Sequence, residues 1–151
     1  MREADIRGQI AIILAGVSGM GVVHEYQRWA ATWEKFLDHF KDADNKINGC
    51  CISRAATPAF RKTMPTIERE HKYMIRCYYG LNDAAGSELI FQALVEGIQN
   101  EFDSGSNYSL GGYVLNSGPL QVRIIEPRMF GGVLCHFAEL ELPATERVTY
   151  S

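Results

Sequence analysis

Between Glu68 and Phe102 the hydrophobic pattern first alternates and then cycles. In the run HKYMIRCYY, Tyr73, Ile75, Cys77 and Tyr79 share one face, while Glu70, Lys72 and Arg76 share the other. That period of two predicts a half-buried strand. After the breaker GLNDAAG, Ile90, Phe91, Leu94, Val95, Ile98 and Phe102 recur every three or four residues, with Gln92, Glu96, Gln99, Asn100 and Glu101 opposite. This predicts an amphipathic helix whose stripe lies on the strand's apolar face. Asn82 and Asp83 offer short acceptors for the unpaired N–H groups of a first helical turn, and Glu88 adds a negative charge there.

The remaining chain is expected to pack onto this pair. Ala4 to Val17 carries a helical stripe of Ile6, Ile10, Ile13, Leu14 and Val17, stopped by the Gly16 to Gly21 cluster. GVVHEYQRW alternates without a clean apolar face and suits an edge strand. Thr32 caps a short helix with Trp33, Phe36, Leu37 and Phe40 on one side, and KDADNKING ends it in turn-forming residues. CCISRA predicts a strand. TPAFRKTMPTI, with two prolines and a basic group, predicts a protruding loop. DSGSNYSLGGYVLNSGP reads as a loop that carries Tyr108, Leu110, Tyr113 and Leu115. LQVRIIEP and GGVLCHFAELEL form two closing strands around a Pro-Arg-Met-Phe-Gly-Gly turn, followed by a polar tail, ATERVTYS. The order helix, strand, short helix, strand, strand, helix, strand, strand predicts an α+β fold. One domain over residues 1–151 is expected, with a mostly antiparallel or mixed sheet and helices packed on one face.

Composition narrows the partners. At 151 residues and 46% hydrophobic, the chain suffices for one core. A net charge of -3 and a pI near 5.8 give no broad basic field for phosphate. Cys50, Cys51, Cys77 and Cys135 have no CxxC spacing, and MREADIRGQ does not resemble a signal peptide, so reduced thiols in a cytoplasm are expected. AIILAGV is too short to span a bilayer, and no membrane association is expected.

The candidate chemistry is sparse. GVSGMG follows a helix and not a strand, the wrong context for a dinucleotide fingerprint. Cys135 and His136 are neighbours on a strand and point to opposite faces, so they do not form a nucleophile and base pair. Cys77 could in principle meet His24 or His71 across a sheet, but residue habits favour a small buried hydrophobe. His24, Cys50, Cys51, His71, Cys77, Cys135 and His136 lack the spacing of a zinc site, and no metal or cofactor is expected. Glu139 and Glu141 share a face, as in a solvated or interface surface. No catalytic residue stands out. Arg61 and Lys62 with Arg69 form a small basic group, weakened by Glu68 and Glu70, while Phe60, Met64 and Ile67 suit docking to a protein neighbour.

Two runs resemble the tail terminator (tail-completion) proteins of long-tailed bacteriophages: GVVHEYQRWAATWEKFLDHFKDADNKINGCCISR and IRCYYGLNDAAGSELIFQALVEGIQNEF. Within them, HEYQRW, the FKDADNKING turn and the YYGLNDAAGSELIF junction are the most specific pieces. The resemblance implies a mixed sheet flanked by helices and a structural, non-enzymatic virion protein. It implies a hexameric ring on the head-proximal end of the tail tube that stops polymerisation, presents a surface to the neck or connector of the capsid, and is assembled in the host cytoplasm. Its partners would be other copies of itself, the tube protein and the neck, with genomic DNA passing through unread. Phe60, Arg61, Lys62, Met64, Ile67, Tyr108, Leu110 and Tyr113 then become candidate contact residues. Two alternatives stand beside it: another neck or head-completion protein of related fold, and a small cytoplasmic enzyme using a cysteine or histidine. Self-association separates the enzyme from the other two.

Overall fold

A computed structural model describes residues 2–28, 32–42, 46–130 and 132–150. The Trp29 end of the first predicted strand, the Trp33 side chain, the middle of the KDADNKING turn and Gly131 lie outside the described residues.

The chain is built along β4 (Thr66–Gly80), which is longer than its alternating core suggested. All of it pairs antiparallel with β7 (Val133–Thr149), from Thr66 opposite Thr149 to Gly80 opposite Cys135. The expected polar tail is therefore the second half of β7. Its alternation is real, since Ala144 and Glu146 are buried while Arg147 and Thr149 are exposed. On its other side β4 pairs antiparallel with β2 (Asn48–Ala56) and then β3 (Ala59–Arg61). β1 (Val22–His24) joins β2 in parallel, covering only the start of the predicted nine-residue strand. β5 (Asn116–Ser117) and β6 (Gln121–Phe130) pair with β7, and β6 runs through the expected turn as far as Phe130. The result is a seven-stranded mixed sheet in an α+β domain.

Helices α1 (Arg2–Ala15) and α3 (Ser87–Asp103) cover one sheet face. Ile6, Ile10 and Leu14 from α1, and Phe91, Leu94, Ile98 and Phe102 from α3, join Ile52, Tyr73, Ile75, Leu140 and Leu142 in one buried cluster. Ile90 departs from the predicted stripe and is about half exposed. Asn82 and Asp83 do not cap α3 either. The Asn82 side chain accepts from Ala85 N–H in a 3-10 turn, Asp83–Ala85, and α3 begins only after Gly86, whose φ of 68° needs a residue without a Cβ.

The helices are not confined to one face, contrary to the expectation. The short helix α2 (Trp33–Asp38), capped by the Thr32 hydroxyl as expected, lies on the opposite side. There Phe36 and Phe40 meet Tyr78 and Phe137, with ring centroids of Phe40 and Tyr78 4.5 Å apart. Alternation puts Tyr78 on this second face, so β4 is buried on both sides at its Gly80 end. Toward the middle of the strand the same face turns polar, where Arg76 donates to Glu139 and Ser53. The adjacent Cys50 and Cys51 thus belong to different cores.

Truncation tests the two ends of the helical stripe. Leu94→Ala and Ile98→Ala should each cost about 2–5 kcal/mol in a denaturant titration, while Ile90→Ala should stay within about 0.5 kcal/mol. A second prediction concerns alkaline pH. Burial pushes the Cys51 thiol up from 9.0 to about 11, and the Tyr73 and Tyr78 phenols are raised for the same reason. The buried thiol is held neutral, so its contribution is complete below pH 9 and is lost as pH rises through 11. Stability should fall across that window, and Cys51→Ala should remove on the order of 2 kcal/mol of the fall.

Candidate interaction surfaces

The segment expected to be an irregular loop is a hairpin. Ala59, Phe60 and Arg61 pair with Arg69, Glu68 and Ile67, and the Lys62 N–H donates to the Thr66 carbonyl at 2.9 Å. The prolines permit this because Pro58 precedes β3 and Pro65 sits in the turn, so neither removes a ladder donor. Tyr150 clamps the tip, its N–H donating to the Pro65 carbonyl at 2.7 Å, and Arg61 donates to the Met64 carbonyl. Phe60, Arg61, Lys62 and Met64 are exposed, Met64 by 85%. Ile67 is mostly covered, between β3 and β7.

A buried polar chain secures the base of the hairpin. The Thr57 hydroxyl lies 3.1 Å from His71 Nδ1, and His71 Nε2 donates to Glu146 Oε1 at 3.2 Å. Arg69 Nη1 lies 3.9 Å from the same carboxylate and its Nη2 donates to the Tyr150 hydroxyl. His71 and Glu146 are both nearly inaccessible. A hydroxyl, an imidazole and a carboxylate in line are the parts of a nucleophile relay, yet neither groove described below reaches these residues. What the chain does here is tie the hairpin to β7. Sequence reasoning missed Glu146 because a lone glutamate in a polar stretch gives no sign that it faces inward.

The other predicted contact residues separate. Tyr108 is exposed, but Leu110 is fully buried and Tyr113 packs against the main core, so Leu110 is no contact residue. Leu110 holds φ at 47°, a left-handed conformation that costs a branched side chain roughly 1–2 kcal/mol, offset by burying its apolar surface.

A second surface lies at the Gly80 end of the sheet. It is a half-open groove of about 810 Å³ between α2, the 3-10 turn and the start of β7. Leu81, Ile90, Val133 and Leu134 supply its apolar rim, each 39–47% exposed, and Glu34, Asp38, Lys41, Asp42 and Lys46 supply its charges. Ser87 lies in its floor. The Ser87 hydroxyl accepts from Asn82 N–H at 2.8 Å and lies 2.8 Å from His136 Nε2, which fixes the strand-to-helix junction. His136 in turn stacks on Phe91. A shallower groove of about 500 Å³ runs between α3 and β6, with Glu96 and Asp103 beside Val122 and Ile125.

All four cysteines are buried free thiols. Cys50 faces Cys77 across the ladder, and contact between the two thiols together with burial raises the Cys50 pKa. Neither predicted histidine meets Cys77: His24 bonds the His39 carbonyl and Arg28, and His71 is held as above. Glu139 and Glu141 are paired with Arg76 and Arg123. Among the described residues no three His, Cys, Asp or Glu side chains gather as a metal would require, and no helix is long and apolar enough to cross a membrane. No family model matches this chain, and no curated protein matches it.

The two predicted contact regions should behave differently when cut back. Phe60→Ser with Met64→Ser should leave the unfolding midpoint nearly unchanged, because both side chains are solvent-facing. Leu110→Ala should cost about 2–5 kcal/mol, whereas Tyr108→Ala should cost under about 0.5 kcal/mol; thermal and denaturant melts check all three.

Proposed function

We propose that this chain is a structural ring protein of a bacteriophage tail, seated on the head-proximal end of the tail tube, where it ends polymerisation and offers a surface to the capsid neck. The observation that carries the reading is the β3–β4 hairpin, an ordered projection with Phe60 and Met64 held out in solvent. Exposed apolar anchors on a projection anchored by ladder bonds and a buried polar chain fit assembly, since little ordering is left to offset when a partner docks. The likeness of the Gly21 to Arg54 and Ile75 to Phe102 runs to tail terminators supports the same reading. The mixed sheet with flanking helices is compatible with it. A net charge of -3 suits a channel that DNA crosses without being held through many phosphate contacts. In this role the chain works in the virion at the head-tail interface and is assembled in the host cytoplasm.

The test is addition of the purified wild-type chain to polymerising tubes of its cognate tail protein, followed by electron microscopy. Growth should stop, with a six-fold cap at one end of each tube. Tubes that elongate as in its absence would overturn the tail role, and binding to isolated necks alone would favour a head-completion protein.

A further inference from the structure

The hairpin tip and the Gly80-end groove stand at opposite ends of β4, separated by about 46 Å of strand at 3.3 Å per residue. A subunit therefore cannot fill its own groove with its own tip. We propose that the tip of one subunit seats in this groove of a second copy, a head-to-tail contact between a basic apolar finger and a net acidic apolar cleft.

Three observations carry the pairing. First, each surface is apolar and uncovered: Phe60 and Met64 project from the tip, while Leu81, Ile90, Val133 and Leu134 rim a space of about 810 Å³. That space is of the size that takes a few large side chains. Second, the charges are complementary. Residues 57–67 contain Arg61 and Lys62 and no carboxylate, and Glu68, opposite Phe60, is paired with Arg147 at 3.0 Å, whereas the groove carries three carboxylates against two amines. Lys41 and Asp38 pair with each other at 2.8 Å, so the excess is one negative charge. Third, the finger is already ordered by its ladder and by the Tyr150 clamp, which lowers the entropy cost of insertion.

Such a contact joins two different patches, so it is heterologous and repeats from subunit to subunit, closing into a ring or running on as a filament. Closure into a ring rests on the tail role proposed above; the contact itself does not.

The test uses two variants that each lack one half of the contact. Phe60→Ser with Met64→Ser removes the finger, and Leu81→Lys with Glu34→Lys places positive charge in the groove. By light scattering and sedimentation the wild-type chain should self-associate, and each variant alone should be monomeric. An equimolar mixture should form dimers only, because one productive finger and one productive groove remain between the two variants. Monomeric wild-type chain up to about 1 mM would overturn the proposal, as would variants that assemble like wild type or a mixture that stays monomeric while wild type assembles. Should a double variant fail to fold, the single exposed changes Lys62→Glu and Glu34→Lys replace it; each should weaken self-association at least about fivefold, with a loss that shrinks in high salt, and an unchanged affinity would overturn the contact. Tube capping by a chain that fails this mixing test would keep the tail role and remove the contact, and dimers without capping would do the reverse.

Discussion

The β4–β7 ladder, fifteen residue pairs without a break in register, is the constraint on which the rest of the molecule depends. Because its side chains alternate without interruption, it sets two cores at once: the large one beneath α1 and α3, and the aromatic one beneath α2. A slip of β4 by one residue would send Tyr73 and Ile75 toward the aromatic core and Tyr78 toward the aliphatic one, while Leu140 and Phe137 of β7 stayed where they are. Neither set fits the other's space, so burial on both faces specifies the register more firmly than backbone hydrogen bonds alone.

The same ladder positions both exposed surfaces. Its Thr66 end carries the hairpin, fastened to β7 through Thr57, His71 and Glu146, and its Gly80 end supports one wall of the groove. Distance between the two surfaces is fixed by strand length and not by a linker. This is how one small domain can hold a finger and a groove at a defined separation, the property that a head-to-tail contact between copies requires.

Long periodic elements were legible in the sequence because burial on one side writes a repeat. The α3 stripe and the β4 alternation belong to this class, and so do the Thr32 cap and the aromatic side of α2. Ile90 misled because it sits about 100° round the helix from Phe91, at the margin of a wide stripe where periodicity no longer decides burial. Polar residues that face inward hid the second half of β7, where Glu146 occupies a core position through its bond to His71. Prolines at both ends of TPAFRKTMP resembled a loop although each lies just outside a ladder bond. Leu110 could not be told from an exposed loop residue, since what buries it is tertiary. The groove left no local trace at all: its rim comes from segments far apart in the chain, and only the register of β4 against β7 gathers them.

One property of the ladder concerns force. Its hydrogen bonds lie across the strand direction, so a load that enters through the hairpin on β4 and leaves through the groove wall at the Val133 end of β7 passes from one strand to the other and stresses those bonds in shear. In shear the bonds resist together, whereas a load that peeled β4 from one end would open them one after another. A subunit pulled from finger to groove is thereby strained along its stiffest direction, and mechanical tension passing through an assembly of such subunits would be carried by backbone pairing before it reached either hydrophobic core.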